Sequence, residues 1–155
     1  MNLQMTRVDM WAAEIDDQAG GLAHTLRAIT ERGVDLDYVM ARREADTPGK
    51  GRVLVSPISG RDQLENAEAA GIRRATDVAV LKIEGNDDAG MGARLCETIA
   101  GTGASMNALS ASVVGNRFVC YAAFDSEADR AKAETALKEL SAHHWRFWKR
   151  HTKAA

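Results

Sequence analysis

The feature that most constrains this chain is that it is written twice. Sliding the sequence on itself by 70 positions sets Asp17 on Asp87, Ala19 on Ala89 and Gly20 on Gly90. The same offset sets Ala23 on Ala93, Ile29 on Ile99 and Gly33 on Gly103. These are 6 identities in the 21 aligned positions 17–37, where unrelated segments of ordinary composition would share roughly one or two. Apolar character is also kept at Leu26/Cys96, Val34/Ala104 and Leu36/Met106. A repeat of this length reads as one supersecondary unit used twice.

Each copy parses alike. Val8–Ile15 and Asp77–Glu84 carry strand-like residues, the second with cleaner alternation. Leu22, Leu26 and Ile29 then fall at helical spacing, as do Leu95, Cys96 and Ile99, and Gly33 and Gly103 stand where helices end. Second strands follow from Val34 and Ala104, with Val34, Leu36, Tyr38 and Met40 expected on one face. A longer turn, T-P-G-K-G, closes the first hairpin, and Gly115-Asn116 closes the second. Third strands start at Arg52 and Arg117, with Pro57 near a strand end. Second helices are expected over Arg61–Ala70 and Ser126–Leu140. The closing strands are expected at Ile72–Arg74 and in H-H-W-R-F-W-K-R-H, residues 143–151, with an extension of the last helix over residues 143–150 as the alternative.

The result is an α+β fold of two ferredoxin-like βαββαβ units, with antiparallel sheets and helices packed on one face. The expected domains are 1–75 and 76–155, the second ending in a basic, aromatic segment. A unit of about 70 residues buries only a marginal core, and pairing the units would cover exposed strand edges.

Composition narrows function mainly by exclusion. The chain has 155 residues, 45% hydrophobic and 27% charged, with a formal net charge of −2. Such a balance gives no general drive toward nucleic acid or anionic membrane. Residues 142–155 carry Arg146, Lys149, Arg150 and Lys153 without an acid, which leaves 16 basic against 22 acidic residues elsewhere, or −6. No uncharged apolar run approaches membrane-spanning length, and charges interrupt the N-terminal stretch before a signal-peptide core forms. A cytoplasmic location without membrane association is expected. Cys96 and Cys120 lack metal-ligand or redox spacing and read as reduced core thiols. His24, His143, His144 and His151 are too scattered for a metal site. Ser110 and Ser112 lack a nucleophile-elbow setting. Neither catalytic residues, nor a metal, nor a cofactor is expected.

The repeated strand-to-helix loop, D-Q-A-G-G-L in copy one and D-D-A-G-M-G in copy two, is the candidate site. The first N–H groups of a helix are unpaired, lie at the positive end of its dipole and attract a carboxylate. Gly20, Gly21, Gly90 and Gly92 permit close backbone approach. Asp17 or Asp87 can accept an ammonium group, so the loop suits an α-amino acid. The plainer reading is that each Asp is an N-cap and each glycine is turn chemistry.

These stretches resemble the ACT domain, whose pattern is roughly D-x-P-G-x-L, a helix, then G-x-N-I. Here Ala19 and Ala89 replace the proline, Asp35 and Ser105 replace the asparagine, and Gly92 stands opposite Leu22. The resemblance covers nearly the whole chain as a tandem pair. It implies a non-catalytic regulatory protein, a likeness to modules that sense amino acids, with an unidentified regulated enzyme as partner; a homodimer is expected from the aromatic-rich ends and exposed strand edges. The implied ligand-binding set is Asp17, Gln18, Ala19, Gly20, Gly21 and Leu22 with Asp35 and Asp37. In copy two it is Asp87, Asp88, Ala89, Gly90, Met91 and Gly92 with Ser105 and Asn107. The ligand is expected near the interface of the paired units, with copy two binding more weakly.

An alternative of another class is RNA binding. The tail W-R-F-W-K-R-H interleaves aromatic and basic residues, and N-R-F-V-C-Y-A-A-F faintly resembles the aromatic strand of an RNA-recognition motif. Copy one has no aromatic in its third strand. Packing of Trp145, Phe147 or Trp148 on a closing strand is the plainer expectation.

Overall fold

The computed structural model describes residues 2–151, with side chains described through residue 142. The elements are β1 (Gln4–Val8), β2 (Trp11–Asp16), α1 (Gly21–Thr30), β3 (Tyr38–Arg43), β4 (Lys50–Ser56) and α2 (Arg61–Ala69). They continue as β5 (Arg73–Arg74), β6 (Ala79–Asn86), α3 (Met91–Ala100), β7 (Met106–Val114), β8 (Arg117–Phe124) and α4 (Glu127–His151). The chain divides into two compact units. One is Val8–Thr76, and the other joins the residues up to Arg7 with those from Asp77 onward. The first is thus inserted into the second, here called the host unit.

The inserted unit has the sheet order β3-β4-β2-β5, with β2/β4, β3/β4 and β2/β5 all antiparallel. Register pairs Trp11 with Val55 and Ala13 with Val53, so strand alternation puts these four residues on one face. That face is buried against Ile29 of α1 and Ala67 of α2, together with Val34, Ile58 and Ile72. β3 starts later than expected, at Tyr38. Val34 and Leu36 enter the core before the strand begins, so the expected alternation from Val34 is not one continuous strand face.

The host unit has the order β1-β6-β8-β7, with β6/β8 and β7/β8 antiparallel. Leu81, Ile83, Phe118, Cys120, Ala122 and Phe124 face Leu95 and Ile99 of α3 and Ala133 and Leu137 of α4. The fourth-strand place belongs to β1, not to residues 143–151. Those residues continue α4, which contains neither glycine nor proline between Glu127 and His151 to stop it. β1 is held to α4 by the Leu3 N–H donating to Ser141 Oγ at 3.1 Å and by an Arg7–Glu134 ion pair at 2.8 Å. The expected packing of Trp145, Phe147 and Trp148, and the placement of His143, His144 and His151, lie outside the described side chains. The first expected domain boundary therefore changes: residues before Val8 go with the host unit.

Both cysteines are free; Cys120 is buried and Cys96 half-buried. Burial, with Cys96 as a second cause, pushes the Cys120 thiol up to about 12, which keeps it protonated and unreactive.

Candidate functional site

The two repeated loops share one backbone. Gly20 opens α1 in the left-handed region (φ 89°, ψ −11°) and Gly90 opens α3 likewise (φ 79°, ψ 8°). The Asp17 N–H donates to Gly49 O at 2.9 Å, and the Asp87 N–H donates to Asn116 O at the same distance. Each loop is thus pinned by the hairpin turn beside it. The Gly21 N–H donates to Gln18 O, as the Met91 N–H does to Asp88 O. The first intrahelical bonds run from His24 to Gly20 and from Arg94 to Gly90. No hydrogen bond among the described residues engages the N–H groups of Leu22, Ala23, Gly92 or Ala93, so both helix ends keep open donors.

Neither helix has a side-chain cap, so Asp17 and Asp87 are not N-caps. The Asp17 carboxylate instead accepts from Arg43 Nε of β3, at 3.0 Å to Oδ1 and 2.8 Å to Oδ2. Asp16 and Glu14 both pair with Lys50 at 3.0 Å, which raises the Lys50 pKa, Glu14 contributing most. Asp87 has no such cross-strand partner among the described residues, because Val113 stands 70 positions after Arg43. Asp88 is held by Arg94, whose Nη2 donates to its Oδ2 at 2.6 Å while Nη1 donates to Ala89 O at 3.1 Å.

The apolar anchors differ as well. In copy one Leu22 packs half-buried on the core, and a Cβ on Gly21 would collide with the Asp16 carbonyl oxygen. In copy two Met91 is buried in the core, while a Cβ on Gly92 would meet no atom within 4 Å. Met91 therefore anchors the first turn of α3, and its side chain is not presented at the loop surface. Gln18, Ala19, Asp88 and Ala89 are exposed loop residues.

The other expected site residues lie far from their own loops. In the inserted unit Asp16 pairs with Lys50 at one end of the sheet. The Asp37 N–H donates to Ser56 O at the other end, and Asp35 precedes it. The six-residue step from Lys50 to Ser56 makes this about 20 Å at roughly 3.3 Å per residue. In the host unit Asn86 pairs with Arg117 beside the loop, whereas Met106 pairs with Phe124 at the opposite end. Ser105 and Asn107 flank Met106 there, and their side chains hydrogen-bond Asp125, holding its carboxyl below the usual range, Ser105 contributing most. Within a unit, the structure does not bring these residues to the loop.

Sequence reasoning missed Arg43, Lys50 and Arg94. Arg94 had a local signal, since it follows Gly90 by one helical turn. Of the aromatic strand proposed for RNA, Phe118 and Phe124 are buried in the core, while Tyr121 is half-buried with its ring centroid 5.9 Å from the Lys82 ammonium. Among the described residues no cluster of three or more His, Cys, Asp and Glu is placed to hold a metal ion. No helix among them is long and apolar enough to cross a membrane.

This is the pair of ferredoxin-like units that the resemblance to ACT domains implies, one of them a βαββαβ unit and the other taking β1 as its fourth strand, and solved structures share the fold. The regulatory subunit of aspartate kinase from Thermus thermophilus matches 89% of this chain over 96% of its own, with a TM-score of 0.60 and 18% identity. A protein from Bacteroides thetaiotaomicron matches 88% of this chain over 90% of its own, with a TM-score of 0.72 and 11% identity. Aspartate kinase from Synechocystis matches 91% of this chain over 27% of its own, with a TM-score of 0.59 and 16% identity. No family model and no curated protein sequence matches the chain.

Proposed function

We propose that this protein is a non-catalytic regulatory module that binds a small carboxylate-bearing effector, an α-amino acid, at the loop Asp17–Leu22. The observation that carries this reading is the uncapped start of α1. Gly20 takes the left-handed conformation, no atom lies within 4 Å of where its Cβ would stand, and the Leu22 and Ala23 N–H groups are open. Those donors and the helix dipole receive the effector carboxylate. Asp17 accepts the ammonium group with the lone pairs that Arg43 leaves unused, since a carboxylate offers about four.

Asp35, Asp37, Ser105 and Asn107 can join such a site only from a different unit, because each lies at the far end of its own sheet. They act in this reading as polar contacts across paired units, in a homodimer that regulates a cytoplasmic enzyme. The fold's likeness to a regulatory subunit supports a regulatory role.

A thermal-shift screen of the proteinogenic amino acids tests the proposal, because a ligand that binds only the native state raises the melting temperature. At least one amino acid is expected to do so. Asp17→Asn is expected to weaken that ligand by about 1.5 kcal/mol, roughly tenfold, for a lost charge-assisted bond. Arg43→Ala serves as control, since it removes the intramolecular pair but leaves the Asp17 charge. A full screen without a stabilising amino acid sinks the reading.

A further inference from the structure

The two loops share backbone geometry, yet the space above their left-handed glycines differs. Above Gly20 there is no atom within 4 Å of the Cβ position; above Gly90 the Arg94 Nη1 stands at 3.7 Å. That guanidinium donates to Ala89 O and to the Asp88 carboxylate, so it spans the loop from the first turn of its own helix. A cation beside a helix N-terminus faces the positive end of the dipole. The Asp88 carboxylate and the Ala89 carbonyl offset that cost and fix the guanidinium's position, a planar fork meeting two acceptors. Copy one has His24 at the corresponding position, exposed and without a described side-chain hydrogen bond to its loop.

We infer that Arg94 is a built-in plug: it occupies the approach to the second loop and holds that loop in its ligand-ready backbone shape without a ligand. The duplicated units thereby divide their labour. The inserted unit keeps the open effector loop, and the host unit carries a closed one. The inference rests on the effector reading of copy one for its meaning, but the plug itself is an intramolecular contact that can be tested alone. It also gives the weaker binding expected of copy two a cause in the guanidinium, since Met91 anchors the start of α3 in the core.

The experiment is residue-resolved NMR on the wild-type protein, Arg94→Ala and His24→Ala, in two arms. The first measures amide exchange without ligand. In Arg94→Ala the hydrogen-bonded amides of Asp87 and Met91 are expected to exchange about tenfold faster, as a loop that has lost a charge-assisted clamp opens more often. His24→Ala should leave Asp17 and Gly21 unchanged. The second arm titrates glycine, which carries both an ammonium and a carboxylate, with acetate as the carboxylate-only control. Wild type should show saturable shifts at Gly20–Ala23 and none at Gly90–Ala93; Arg94→Ala should add shifts at Gly90–Ala93. Unchanged exchange in Arg94→Ala overturns the plug. So does glycine binding at Gly90–Ala93 in wild type that Arg94→Ala abolishes, which would make the guanidinium a ligand receptor. Exchange that rises without any gain of glycine shifts at Gly90–Ala93 overturns the blocking role. Absence of wild-type shifts at Gly20–Ala23 counts against the effector reading, while the exchange arm still decides the plug.

Discussion

The loops Asp17–Leu22 and Asp87–Gly92 keep the same backbone and exchange nearly every side-chain role around it. The left-handed glycine, the N–H pinned by the neighbouring hairpin and the open first-turn donors occur in both. The apolar anchor sits at the second helical position in copy one, Leu22, and at the first in copy two, Met91. The loop acid is neutralised by a neighbouring strand in copy one, through Arg43, and by the helix itself in copy two, through Arg94. Duplication thus preserved what the fold needs to turn from strand to helix. What differs is what a ligand would meet.

The largest expected effect concerns what the copies share. Ile29 and Ile99 are equivalent in the repeat and both essentially fully buried. Ile29→Ala and Ile99→Ala should each destabilise their unit by about 2–5 kcal/mol in urea unfolding. A cost near zero for either would break the equivalence of the two cores.

A smaller effect should have opposite signs in the two loops. Gly21→Ala drives a methyl into the Asp16 carbonyl and should cost about 1–3 kcal/mol as overpacking. Gly92→Ala enters open space in a helix and should stabilise by up to about 1 kcal/mol. Similar outcomes for the pair would mean that the anchor exchange is not what separates the loops. Gly20→Ala and Gly90→Ala, by contrast, should cost alike, about 1–2 kcal/mol, for a side chain forced into the left-handed region.

The smallest effect belongs to the host unit alone. Glu134 is held below the ordinary carboxylate range by Lys138 first and Arg7 second. A depressed folded pKa means stability that is present above the unfolded value of about 4.3 and lost as pH falls through the lower folded one. Arg7→Ala should remove less than about 1 kcal/mol at neutral pH, and the difference from wild type should shrink to nothing as falling pH protonates Glu134 in the folded protein as well. A difference that persists in acid would assign β1 docking to packing by the Arg7 stem rather than to charge.

Much of this architecture was legible because it is local. The β7–β8 turn follows from Gly115-Asn116, α1 from Leu22, Leu26 and Ile29, and the unit pattern from the repeat itself. The fourth host strand was not legible. Q-M-T-R-V is short and half polar, and its neighbour β6 lies some 70 residues away, so nothing local says which sheet it completes. The continuation of α4 was masked by aromatics that favour strands as readily as helices. At the site, the loop backbone could be anticipated from the glycines. The Arg43 and Arg94 contacts could not, because long side chains choose partners by register and reach.

The most direct test of the effector reading is a residue-resolved NMR titration of the unmodified protein with the amino acid that most raises its melting temperature. The account predicts saturable shifts clustered at Asp17–Ala23, with Asp87–Ala93 silent. Shifts confined to any other surface, or saturating only at Asp87–Ala93, would contradict it.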